Sequence, residues 1–203
     1  MPMPKSVPIW PLILIALVFY SLPWVVSPDA ALSMGAYDLA EWASLHPVVR
    51  VSSPPLLASF LLRAPLVGLA WAAALNTRRD GSRALNGVLA VTLTIALLPP
   101  LEFFTQYADD PNYRQQMALA LAAFIGAVVG LVVRPASWRW AAAFIAAVAA
   151  AAALVGLMQA VSLVQEFHLA IFSGLGGGGF VICCLILSWL CFPARAASTN
   201  KTR

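Results

Sequence analysis

The stretch LLASFLLRAPLVG, residues 56–68, sets one arginine inside an otherwise apolar run that continues to Leu75. About 20 consecutive apolar residues suffice for a helix to cross the hydrocarbon core of a bilayer. Residues 55–75 therefore read as a membrane span, and Arg63 as a charge that has to be accounted for inside it. Five further runs of similar character lie at roughly 8–27, 85–105, 117–134, 140–162 and 171–192. The expected fold is all-α: a polytopic bundle of about six transmembrane helices forming a single membrane domain over the 203 residues.

Composition supports this. The chain is 62% hydrophobic and 10% charged, whereas a soluble domain carries about 25% charged residues to coat its surface. The net charge of +4 does not point to nucleic acid, because the basic residues are scattered through short loops with no dense basic tract. Their distribution instead sets orientation, since cytoplasmic loops are enriched in Lys and Arg. With a cytoplasmic N-terminus, Lys5, Arg78, Arg79, Arg83, Arg134, Arg139, Arg195, Lys201 and Arg203 fall inside, nine of the twelve basic residues. Asp29, Asp38, Glu41, Glu102, Asp109, Asp110 and Glu166 fall outside or at the outer edge, and only Asp80 falls inside. Both termini are thus expected in the cytoplasm, in a multi-pass protein of a bacterial inner membrane. The first run is read as a retained helix, because Ser27-Pro28-Asp29-Ala30 lacks the small-residue pattern of a signal-peptide cleavage site. The sequon Asn200-Lys201-Thr202 then lies in a cytoplasmic tail.

The longest outer loop, 28–54, contains LSMGAYDLAEWASL, residues 32–45, with apolar residues near helical spacing. A short helix on the membrane surface is expected there, ended by His46-Pro47. Spans five and six are rich in Ala and Gly, which let helices approach closely in lipid. They are expected to mediate tight packing, homo-oligomerisation or contact with a complex partner. The four glycines at 176–179 also weaken a helix, so a local break is an alternative.

Polar residues within spans are costly and raise functional questions. Arg63 sits roughly 12 Å below the outer end of its span, and Glu102 roughly 6 Å below the outer end of the next, at 1.5 Å per residue. The depths match for an Arg63–Glu102 pair if the two helices are neighbours; otherwise Arg63 snorkels outward and Glu102 meets the headgroups. Glu102 and Gln106 are one turn apart on a common helical face, after a bend at Pro99-Pro100, and Asp109, Asp110 and Arg114 follow at the surface. Arg63, Glu102, Gln106 and Arg114 form the candidate ligand-binding cluster.

Other chemistry finds little footing. Cys183, Cys184 and Cys191 read as apolar fillers in the last span. His46, Glu166, His168 and an Asp are too sparse for an expected metal site, and no cofactor is implied. Ser173 in FSGLG, residues 172–176, has no histidine in a later span to form a dyad, so no catalytic residue is assigned and binding is expected in place of catalysis.

The order of these parts resembles the VanZ-like family of membrane proteins. In that family one span ends in Glu and Gln, an Arg-bearing loop follows, and the next span carries Asp, Asn and G-x-x-x-G. Here Glu102, Gln106 and Arg114 precede Gly126 and Gly130, and SFLLRAPLVG, residues 59–68, supplies Phe60, Pro65 and Gly68 in the order seen in the preceding family span. Glu102 and Gln106 are four apart where the family shows three, and the Asp and Asn positions fall near Leu119 and Ala123. The resemblance covers residues 55–132, flanked by the first span and outer loop (1–54) and two additional spans (135–203). It implies a cell-envelope protein acting at the outer leaflet on an amphiphile such as a lipid-linked glycan precursor. The founding member is associated with reduced susceptibility to the antibiotic teicoplanin. A structural subunit of a membrane complex is the other reading.

Overall fold

The computed structural model describes residues 8–28, 31–76, 83–133 and 138–192. The chain is mostly helical. Three helices are long and apolar enough to cross a membrane: α4 (Leu57–Leu75), α6 (Pro111–Val132) and α7 (Trp138–Gln165). Three shorter apolar helices accompany them, α1 (Trp10–Ser21), α5 (Arg83–Ala96) and α8 (Leu175–Cys191). All six fall on the six apolar runs. Most of the charges expected on the cytoplasmic side, Lys5, Arg78, Arg79, Asp80, Arg134, Arg195, Lys201 and Arg203, lie outside the described residues, as do Asp29 and the 200–202 sequon.

Proline sets where two runs stop being helix. The first run was expected to extend to residue 27, yet α1 ends at Ser21, with Pro23 two residues on, because a proline cannot donate to the turn before it. Trp24 turns fully inward, its indole N–H donating to the Phe19 carbonyl at 3.0 Å. The β-branched Val25 and Val26 then form β1 (Val25–Ser27), antiparallel to β2 (Leu32–Met34) and to β3 (Phe172–Ser173). This small sheet, in the order β2-β1-β3, departs from the all-α expectation. It ties the end of α1 to the segments leading into α2 and α8.

The third run is shorter than expected. α5 stops at Ala96, and Pro99-Pro100 lead into a single 3-10 turn over Leu101–Phe104. Glu102 and Gln106 are therefore not on a membrane helix, and both are exposed.

The short helix expected within residues 32–45 is present and packs on the bundle. Residues 36–45 form α2, followed by the short α3 (Pro47–Val51). α2 folds back against α4, burying Ala36, Leu39, Ala40 and Ala43. Its first turn is closed by the Gly35 N–H donating to Asp38 Oδ2 at 3.4 Å.

α4 is the central helix and packs on α2, α5, α6 and α7. Its inner face buries Leu62, Leu66, Leu69, Ala70, Ala73 and Ala74. Pro65 removes the N–H that would bond the Leu61 carbonyl. Gly156 of α7 rests on that same turn, since a Cβ there would sit 3.0 Å from Leu61 C and Leu62 N. The small residues of α7, Ala142, Ala146, Ala149, Ala153 and Gly156, are buried inside the chain. The glycines of α8 do not break the helix. They form its first turn, and a Cβ at Gly179 would run into the Phe19 ring, so they let α1 pack closely.

Candidate functional site

Arg63 is completely buried, and its partners come from two other helices. Its Nη2 donates to Glu41 Oε1 at 2.6 Å and its Nη1 to Asn112 Oδ1 at 2.6 Å. Gln116 Nε2 donates to the same Glu41 oxygen at 2.6 Å, and Asn112 Nδ2 to Glu41 Oε2 at 3.2 Å. The Arg63 guanidinium also stands 5.8 Å from the centre of the Tyr37 ring. One carboxylate from α2, one cation from α4 and two amides from α6 thus close a network near the N-terminal ends of α4 and α6.

Each element has a local reason to deliver its residue. Asn112 and Gln116 are four apart and share a helical face. They continue the buried stripe of α6 that includes Leu119, Ala120, Ala123 and Ala127. α6 starts where it does because Asp110 caps it, its Oδ1 accepting from the Asn112 and Tyr113 N–H groups at 2.9 and 3.4 Å, with Pro111 at the first helical position. The other Asp110 oxygen accepts from Arg50 Nη2 at 3.3 Å, and Arg50 Nε donates to the Ser44 carbonyl at 2.9 Å. Asp110 therefore positions α6 and the α2–α3 corner together, and with them Glu41.

A buried ion pair recovers its desolvation cost only with added hydrogen bonds, and Asn112 and Gln116 supply them. The Glu41 side chain remains 35% exposed, so the network reaches the surface at Glu41. Beside it, burial first and then the Glu41 charge raise the pKa of Tyr37 above the ordinary phenol value of 10.0. Several polar atoms of the set are buried without a hydrogen-bond partner among the described residues: Gln116 Oε1, Arg63 Nε, Ser59 Oγ one turn before Arg63, and Gln115 Oε1. An interior rarely leaves such atoms unpaired without a reason.

Of the four candidates read from sequence, only Arg63 belongs to this network. No Arg63–Glu102 pair forms, because α5 ends before Glu102 and α2 occupies the place beside Arg63. Arg114 is exposed, with Nε donating to the Ala108 carbonyl at 2.9 Å and Nη2 paired with Asp109. Glu41, Asn112 and Gln116 were missed. The two amides had a usable signal, their i, i+4 spacing in register with the apolar stripe of α6. Glu41 had none, since its role depends on how α2 folds back.

The second polar set is smaller. His46 Nε2 lies 3.5 Å from Glu166 Oε2, and the ring sits between Trp42 and Phe167. His168 is exposed and in a left-handed backbone conformation. No group of three His, Cys, Asp or Glu that could hold a metal ion occurs among the described residues. Cys183, Cys184 and Cys191 are buried and form no disulfide among the described residues.

No family model matches the chain, and neither a curated protein nor a solved structure matches it.

Proposed function

We propose that this chain is a VanZ-like integral membrane protein of the bacterial cell envelope that binds the head of an amphiphile at the outer leaflet. In this reading it has six spans, with both termini in the cytoplasm, and sits in the inner membrane. The observation that carries the binding role is Arg63, completely buried yet tied to Glu41, whose side chain stays 35% exposed. An intramembrane ion pair is expensive and marks a functional position by default. Beside the pair, the Gln116 Oε1 acceptor has no partner among the described residues, which suits a headgroup that brings hydrogen-bond donors. The binding role therefore moves from Glu102, Gln106 and Arg114, which are exposed and dispersed, to Glu41, Arg63, Asn112 and Gln116.

The complex-subunit alternative drew on the small-residue faces of the last two spans. Those faces are largely occupied within the chain, α7 against α4 and α8 against α1. The amphiphile reading is preferred for that reason.

The test is protection of a teicoplanin-sensitive host by the expressed protein, at equal membrane levels of each variant. Wild type and Glu102→Ala should protect, and Glu41→Gln should not. Protection by wild type and Glu41→Gln alike would remove the Glu41–Arg63 network from the function. No protection by wild type would remove the glycopeptide-related role.

A further inference from the structure

The amphiphile reading leaves open what kind of chain the ligand carries, and the membrane-facing side of α4 addresses that. α6 and α7 both pack on α4, and among the described residues they do so without packing closely on each other. The space between them is a groove floored by Phe60, Ala64, Val67, Gly68 and Trp71, which fall on one face of α4. Its upper part encloses about 410 Å³. A lower part of about 340 Å³, reaching Leu75 and Gly130, shares Trp71, Ala122 and Ile145 with the upper one. The two parts meet at the Trp71 indole.

Length separates the candidate occupants. From Phe60 to Leu75 the path follows fifteen residues of helix, roughly 22 Å at 1.5 Å per residue. One leaflet supplies about half of a ~30 Å hydrocarbon core, roughly 15 Å. A chain rooted at the outer end and filling the groove therefore passes the midplane, where the tails of ordinary glycerolipids end.

The upper end also selects chemistry. Gln115 lines it, donating through Nε2 to the Leu56 carbonyl at 3.1 Å, while its Oε1 is buried without a partner among the described residues. That oxygen is an acceptor, and the Nη groups of Arg63 are already committed. A head that brings hydroxyl or amide donors complements it; a bare phosphate brings only further acceptors.

Trp71 stands at the join of the two parts. Its indole N–H donates to the Ala122 carbonyl at 2.9 Å, which holds the ring against α6. Gly126 makes room for it, since a Cβ there would run into the indole. Glycine at 126 thus keeps the ring out of the path.

Resting on the amphiphile reading, we propose that the groove between α6 and α7 binds the single chain of a lipid longer than one leaflet, of the long-isoprenoid class, with a hydroxyl-rich head at Gln115. The experiment is native mass spectrometry on the full chain in detergent. Undecaprenyl phosphoryl-glucose is compared with farnesyl phosphoryl-glucose, which has the same head and a short chain. Wild type should bind the long chain about tenfold tighter or better, a difference of 1.4 kcal/mol or more. Gly126→Ala, which drives the indole into the path, should lower long-chain affinity towards that of the short chain. Val129→Trp should do the same by filling the lower part from a half-exposed position that does not disturb the core. Equal binding of both probes by wild type, with Glu41→Gln weakening both, would overturn the groove assignment and leave the headgroup reading standing. Binding of neither probe by wild type would overturn both.

Discussion

The Arg63 guanidinium donates to the Glu41 carboxylate at 2.6 Å and so joins the central helix α4 to the loop helix α2. Nothing else in the described bundle places a full positive charge at zero exposure. Removing one partner of a buried pair leaves the other uncompensated, at about 3–5 kcal/mol. Arg63→Ala should destabilise the protein by about that amount in equilibrium unfolding by SDS in mixed micelles. The double variant Arg63→Met with Glu41→Leu should recover part of the loss, because it removes the uncompensated charge while leaving the buried Asn112 and Gln116 amides without those partners. A double variant no more stable than Arg63→Ala would show that the pair is not the source of the effect.

Glu102, Gln106 and Arg114 occupy the surface, and substitutions at such positions usually change stability by less than about 0.5 kcal/mol. Each single alanine variant should unfold with wild-type behaviour in the same assay. A loss above about 1 kcal/mol at Glu102 would mean that it makes a buried contact its exposed position excludes.

Asp110 caps α6 and pairs with Arg50. Asp110→Ala should cost about 1–2 kcal/mol, the upper range for a lost N-cap. Asp110→Asn should retain most of the stability, since its amide oxygen still caps. Equal losses for both variants would assign the effect to the Arg50 ion pair alone.

Tyr37 provides a pH test. Its pKa is raised above 10.0 in the fold, first by burial and then by Glu41. The unfolded chain, with an ordinary phenol, loses its proton at lower pH than the folded one. The neutral form therefore stabilises the fold fully below pH 10.0, and that stability declines as pH rises towards the folded value. Unfolding midpoints followed across that range should fall less steeply for Tyr37→Phe than for wild type. Identical slopes would show that another group governs alkaline stability.

Much of the architecture is written in the chain's local chemistry. Six apolar runs became six helices because backbone groups in or beside lipid must bond internally, and prolines mark several of their ends. Pro23 stops α1, Pro99-Pro100 separate α5 from the surface turn, His46-Pro47 end α2, and Asp110-Pro111 start α6. The amides at 112 and 116 were legible in principle from their register with the apolar stripe of α6. The partner of Arg63 was not legible. A pairing by depth pointed to Glu102, the carboxylate nearest in the succession of spans. Only tertiary packing determines which of several carboxylates meets a buried cation, because desolvation costs the same wherever the partner comes from along the chain. Here α2 folds back against α4 through its buried alanines and leucine, bringing Glu41 to Arg63, while Pro99-Pro100 release Glu102 to the surface. Helix identity was a property of local sequence; the site was a property of which helices became neighbours.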